Sequence, residues 1–110
     1  MSIYRDLLVE CDLSETITAA GAATIAAKAI HFLSSSAALY TVTLAAGVPG
    51  QLKLFKMTVI TNVTYVVTVT PAKARNFTSY TFNAVGEGAL MRYRDNAWEV
   101  LDSSGATKVA

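Results

Sequence analysis

The chain has one cysteine, Cys11, and one histidine, His31, and each scarcity closes off chemistry. A lone thiol forms no internal disulfide, and a chain of 110 residues folds without one. A zinc site needs clustered ligands, and Cys11 and His31 stand far apart in sequence with no companions of their kind. Charge is also scarce: 15% of residues are charged, against about 25% in ordinary soluble domains. The net charge of +1 comes from single Lys and Arg residues interrupted by Asp and Glu, so no positive stripe exists to collect phosphates. No run of about 18 apolar residues is present, which argues against a membrane span by helix. The first residues, MSIYRDLLVECD, lack the basic leader and long apolar stretch of a signal peptide. Asn62-Val63-Thr64 and Asn76-Phe77-Thr78 match the glycosylation pattern but read as polar residues at strand ends.

Catalytic patterns are equally thin. There is no Gly-x-Ser-x-Gly elbow and no phosphate-binding Gly-rich loop. His31 is the sole imidazole, and its place between Ile30 and Phe32 sets it on the opposite face of a strand from both, a structural or interfacial position. The late carboxylates Glu87, Asp95, Glu99 and Asp102 are the pairs a glycoside hydrolase would need. Glu87 and Asp95 are explained by turn preferences, and Glu99 points away from Trp98 and Val100. The reading is a non-enzyme without cofactor or metal.

What the chain does have is hydrophobicity, 53% of residues, much of it alanine. An apolar composition with few solvated charges suits a surface that meets another subunit. Residues 1–13 differ from the rest, with Arg5, Asp6, Glu10 and Asp12 among apolar residues. They read as an extended arm that gains order by lying on something, whether its own domain or a neighbour, anchored by Tyr4, Leu7 and Leu8.

From Ser14 onward the pattern is β. Thr16 to Ala20 is a short strand ended by Gly21; the alanines of residues 22–33 favour a helix by propensity, but the near-alternation of Ile25, Ala27, Ala29 and then Ile30 and Phe32 favours a strand with a slip, hence a bulge, at Ala29-Ile30, and both readings stay open. Tyr40, Val42 and Leu44 share one face, opposite Leu39, Thr41 and Thr43. A turn follows over 45–50, with Gly47 and Gly50 free to take positive φ. Residues 51–60 form the longest strand, largely apolar on both faces: Leu52, Leu54, Lys56, Thr58 and Ile60 on one, Lys53, Phe55, Met57 and Val59 on the other. One face covers the core and the second meets another sheet or subunit. Thr64 to Thr70 is rich in β-branched residues and is ended by Pro71. Strands at 78–83, 89–94 and 97–101 follow, the last two a hairpin turning at Asp95-Asn96.

Seven to eight short strands with no long amphipathic helix predict an all-β fold, an antiparallel β-sandwich or jelly-roll-like barrel over residues 14–102. Residues 1–13 form its arm and residues 103–110 a loosely held tail. The predicted core contains Tyr65, Val67, Phe82 and Trp98. Leu52, Leu54, Arg92 and Arg94 are candidates for an oligomer interface. Tyr40, Tyr65, Tyr80, Tyr93 and Trp98 offer the alternative of a carbohydrate-binding module, as platforms for sugar rings, although each lies on the more apolar face of its strand.

The succession Gly50-Gln-Leu-Lys-Leu-Phe-Lys-Met, Tyr65-Val-Val-Thr-Val-Thr-Pro71, Tyr80-Thr-Phe-Asn-Ala-Val-Gly86, Ala89-Leu-Met-Arg-Tyr and Asn96-Ala-Trp-Glu-Val100 has a cadence of its own. It resembles small structural proteins of tailed bacteriophages that decorate or cement the capsid, and related β domains of phage fibres. The likeness is one of rhythm over about residues 16–105. It implies a homo-oligomer, a trimer above other arrangements, made in the bacterial cytoplasm and seated on the virion's capsid surface. Its partners would be copies of itself and the major capsid protein, gripped by the terminal arm, with neither nucleic acid nor membrane.

Overall fold

The structure is a computed structural model that describes residues 14–23 and 29–110. Ten strands are described: β1 Ser14–Ile17, β2 Gly21–Ala22, β3 Ile30–Ser35, β4 Tyr40–Leu44, β5 Leu52–Ile60, β6 Val67–Pro71, β7 Ser79–Phe82, β8 Gly88–Arg94, β9 Ala97–Ser104 and β10 Thr107–Val109. They make two five-stranded sheets, β1-β3-β5-β8-β9 (sheet A) and β10-β7-β6-β4-β2 (sheet B). The fold is all-β, as the alternating pattern predicted.

The direction of the ladders differs from the antiparallel expectation. The first six strands alternate between sheets, so that β1, β3 and β5 stack in parallel in sheet A and β2, β4 and β6 in sheet B. Each step along the chain crosses to the other sheet and returns one strand further on, as in a short solenoid. Sequence alternation reports which residues face the core, but it carries no information about strand direction. From β7 onward the chain turns back, and the pairs β6–β7, β5–β8, β8–β9 and β7–β10 are antiparallel. The hairpin at Asp95-Asn96 forms as expected: both residues take positive φ (53° and 63°), which gives the tight link the twist of its flanking strands.

The inner faces of the two sheets share one core. Tyr40, Val42 and Leu44 of β4 and Val67 and Val69 of β6 meet Leu33 of β3, Phe55 and Met57 of β5, Met91 and Tyr93 of β8 and Trp98 of β9. Trp98 is fully buried and stands edge-on to Tyr93, its register partner, with ring centroids 5.2 Å apart. Its indole nitrogen donates to the Ala45 carbonyl at 2.9 Å, tying β9 to the turn after β4. Gly50 takes positive φ there (86°), but Gly47 is required for another reason. A Cβ on Gly47 would lie 2.8 Å from the Trp98 ring. Of the predicted core, Val67, Phe82 and Trp98 are fully buried. Tyr65 is only half-buried, because it precedes β6 and the alternation of the strand does not extend to it.

Three smaller differences follow from pairing. The irregularity expected at Ala29-Ile30 is found instead between Leu33 and Ser34, where β3 steps past Thr58 of β5. That step leaves Val59 exposed and turns Ile60 toward the core. The segment from residue 103, expected as a loose tail, carries the end of β9 and then β10, which pairs with β7. The arm residues Tyr4, Leu7 and Leu8 lie outside the described residues, as does the stretch 24–28.

Candidate functional site

The two sheets turn different outer faces to their surroundings. On sheet B the outward residues are mainly threonines, with Ala22 beside Thr43 at the β2 edge. Thr41, Thr68, Thr81 and Thr107 lie side by side across β4, β6, β7 and β10, with Thr43 beside Thr70 in the next row. The pentapeptides Tyr40–Leu44 and Val67–Pro71 stack in register, so Thr41, Val42 and Thr43 sit beside Thr68, Val69 and Thr70.

On sheet A the outward residues are apolar at the centre. Ile30, Leu54 and Leu90 form one cross-strand row, with Phe32 beside Lys56 in a neighbouring row and Leu52 opposite Arg92 on the other side. Ile30, Phe32, Leu54 and Leu90 are half-buried, and Leu52 is 47% exposed. The four predicted interface residues, Leu52, Leu54, Arg92 and Arg94, therefore occupy one face, brought there by the antiparallel β5–β8 ladder. A depression of about 260 Å³ opens beside Leu54 and Leu90, flanked by Lys56, Asp102 and Ser103.

The arginines already hold a carboxylate of their own chain. Arg92 donates through Nε (2.9 Å) and Nη2 (2.6 Å) to Glu99 Oε1, and Arg94 donates to both Glu99 oxygens at 3.1 Å. Hydrogen bonds from Arg92 and then Arg94 hold the Glu99 carboxyl below its ordinary value. Glu99 does face outward as predicted, but clamped between two guanidinium groups it is no free surface acid. The clamp fixes the orientation of both arginines along the margin of the apolar rows.

The remaining carboxylates of the late chain are occupied structurally or set apart. Glu87 accepts from the Asn83 and Ala84 backbone amides at 2.6 and 3.1 Å, closing its turn. Asp95 sits in the hairpin link, and Asp102 borders the depression on sheet A. Among the described residues no three His, Cys, Asp or Glu side chains gather in the manner of a metal site. No helix among them is long and apolar enough to cross a membrane. The aromatic platforms proposed for sugar rings are turned inward: Tyr40, Tyr80, Tyr93 and Trp98 are buried and Tyr65 is half-buried.

A second polar group lies inside. His31 is fully buried, with its ring stacked on Phe55 at a centroid distance of 4.8 Å, and its Nδ1 is 2.5 Å from Glu15 Oε2. Lys53, also fully buried, acts electrostatically on both. Burial lowers the pKa of His31 and Lys53 alike, and Glu15 opposes both shifts. The sequence pointed to a structural place for His31 but did not foresee this cluster. Its members come from β1, β3 and β5, and only the parallel stacking makes them neighbours. Neither a protein-family model nor a curated protein sequence matches this chain.

Proposed function

We propose that this chain is a non-enzymatic structural protein of a phage virion. In this reading it associates with itself, as a trimer by its resemblance, and seats on the outer surface of the capsid to decorate or reinforce it. One observation supports the reading above the rest: an outward apolar face on sheet A, around Leu52, Leu54 and Leu90, continuous across three strands. Contiguous apolar surface of this kind marks contact with another macromolecule. The fold that carries it is taken as a sandwich built on stacked coils rather than as a jelly roll. Each square ångström of apolar surface removed from water is worth about 25 cal/mol, so a face of modest area gains from symmetric repetition. Residues 1–13 are assigned the grip on the major capsid protein, with Tyr4, Leu7 and Leu8 as anchors.

Light scattering on the purified chain tests the self-association. A stable oligomer at tens of micromolar is expected, and a monomer at that concentration contradicts it. Removing residues 1–12 should abolish attachment to undecorated capsids while the circular dichroism spectrum is unchanged. Undiminished attachment rejects the arm assignment.

A further inference from the structure

We propose that the occupant of the outer face of sheet A is a second copy of this chain, with Lys56 of one copy paired to Asp102 of the next. This pairing rests on the self-association reading and names the contact that orients it.

Among the charged side chains described on that face, Arg92, Arg94 and Glu99 are committed to one another. Lys56 and Asp102 are not. Both are exposed, and neither makes a hydrogen bond or ion pair with any described residue. They border the same depression of about 260 Å³ without meeting across it. Lys56 stands two residues along β5 from Leu54, on the same side of the strand. Asp102 is the register partner of Leu90 and so closes the row that Ile30, Leu54 and Leu90 form. The apolar row therefore carries an uncommitted cation beside it and an uncommitted anion at its end.

A face with this layout is complementary to itself. When copy is laid on copy, Leu54 and Leu90 supply the dry centre and Lys56 meets Asp102 at its margin. In a two-fold pair both ion pairs form at once. In a closed ring each copy gives Lys56 to one neighbour and Asp102 to the other. A partner of uniform sign would satisfy one of these groups and repel the other, which favours a second copy over a strongly acidic or basic surface. The extent of the face agrees. The strands β3, β5, β8 and β9 at ordinary spacing and rise cover on the order of 500 Å² in plan. Side-chain relief brings this near the roughly 800 Å² per partner of a specific contact. Burial of the leucines supplies the attraction, and the ion pair selects the register, because a slipped copy sets a bare charge against Leu54 or Leu90.

Reversing the charges tests the pairing, with sedimentation of the full chain as the measurement. Lys56→Glu sets carboxylate against carboxylate and should weaken self-association by about tenfold; Asp102→Lys sets ammonium against ammonium and should do the same. The double variant Lys56→Glu/Asp102→Lys restores opposite signs and should associate as the wild type does. Both side chains are exposed, so the circular dichroism spectrum should stay unchanged in all three. Single variants that associate like the wild type, or a double variant no better than either single, overturn the pairing while leaving self-association in place. A wild-type chain that is monomeric at tens of micromolar overturns the self-association reading and the pairing with it. If one single variant does not fold, the other must still be weakened for the pairing to stand.

Discussion

The outer face of sheet B and the outer face of sheet A rest on the same core, yet they solve the same problem in opposite ways. Sheet B shows water rows of threonine, whose β-branched stems suit the pleat and whose hydroxyls are at home in solvent. Sheet A shows rows of Ile, Leu and Phe, bordered by the Arg92–Glu99–Arg94 clamp. A protein that needed only to stay dissolved has no use for the second arrangement when it already has the first. Between the outer faces of the two described sheets, the contrast puts the apolar rows on sheet A, and it is the physical content of the proposed assembly role.

The largest expected effect removes the support common to both faces. Trp98→Ala should cost about 3–5 kcal/mol in chemical denaturation, since it empties a fully buried site and abandons the bond to Ala45. A loss below about 1 kcal/mol would mean that the ring is not the shared wedge between the sheets. Gly47→Ala, which drives a Cβ into the same ring, should cost about 1–3 kcal/mol by overpacking. An unchanged denaturation midpoint would show that the turn yields freely.

The next pair of variants sets the faces against each other. Leu54→Glu on sheet A should shift the oligomer toward monomer, with folding retained because Leu54 points outward. Thr68→Glu, central on sheet B, should leave the mass unaltered. Equal effects of the two substitutions would erase the distinction between the faces. The smallest effect concerns the clamp. Glu99 is held below its ordinary carboxyl value, so its contribution is present above about pH 4.5 and fades as pH falls through the folded-state value. Glu99→Gln should slightly lower stability at neutral pH and flatten that acid-dependent part of the curve. A curve of unchanged shape would remove Glu99 from the account.

Much of this contrast was legible in the sequence, because side chains on a strand alternate whatever their partners. Tyr40, Val42 and Leu44 turned inward and Thr41 and Thr43 outward as the pattern required, and the Asp95-Asn96 link announced its hairpin. Ladder direction was not legible, since alternation is the same in parallel and antiparallel neighbours. The one available signal was the near-repeat of Tyr40–Leu44 in Val67–Pro71, which stacks in register. Nor does polarity predict that Lys53 is enclosed. Its compensation comes from Glu15 on β1, which joins it only through the stacking of β1, β3 and β5. Tyr65 misled in the other direction, as alternation was extended past the end of β6.

Concentration-dependent hydrogen exchange tests the central claim most directly. On raising the chain from nanomolar to tens of micromolar, the account predicts added protection in β5 and β8 beneath Leu52, Leu54 and Leu90, and none in β4 and β6 beneath the threonines. Added protection under the threonine face alone, or none anywhere, would contradict it.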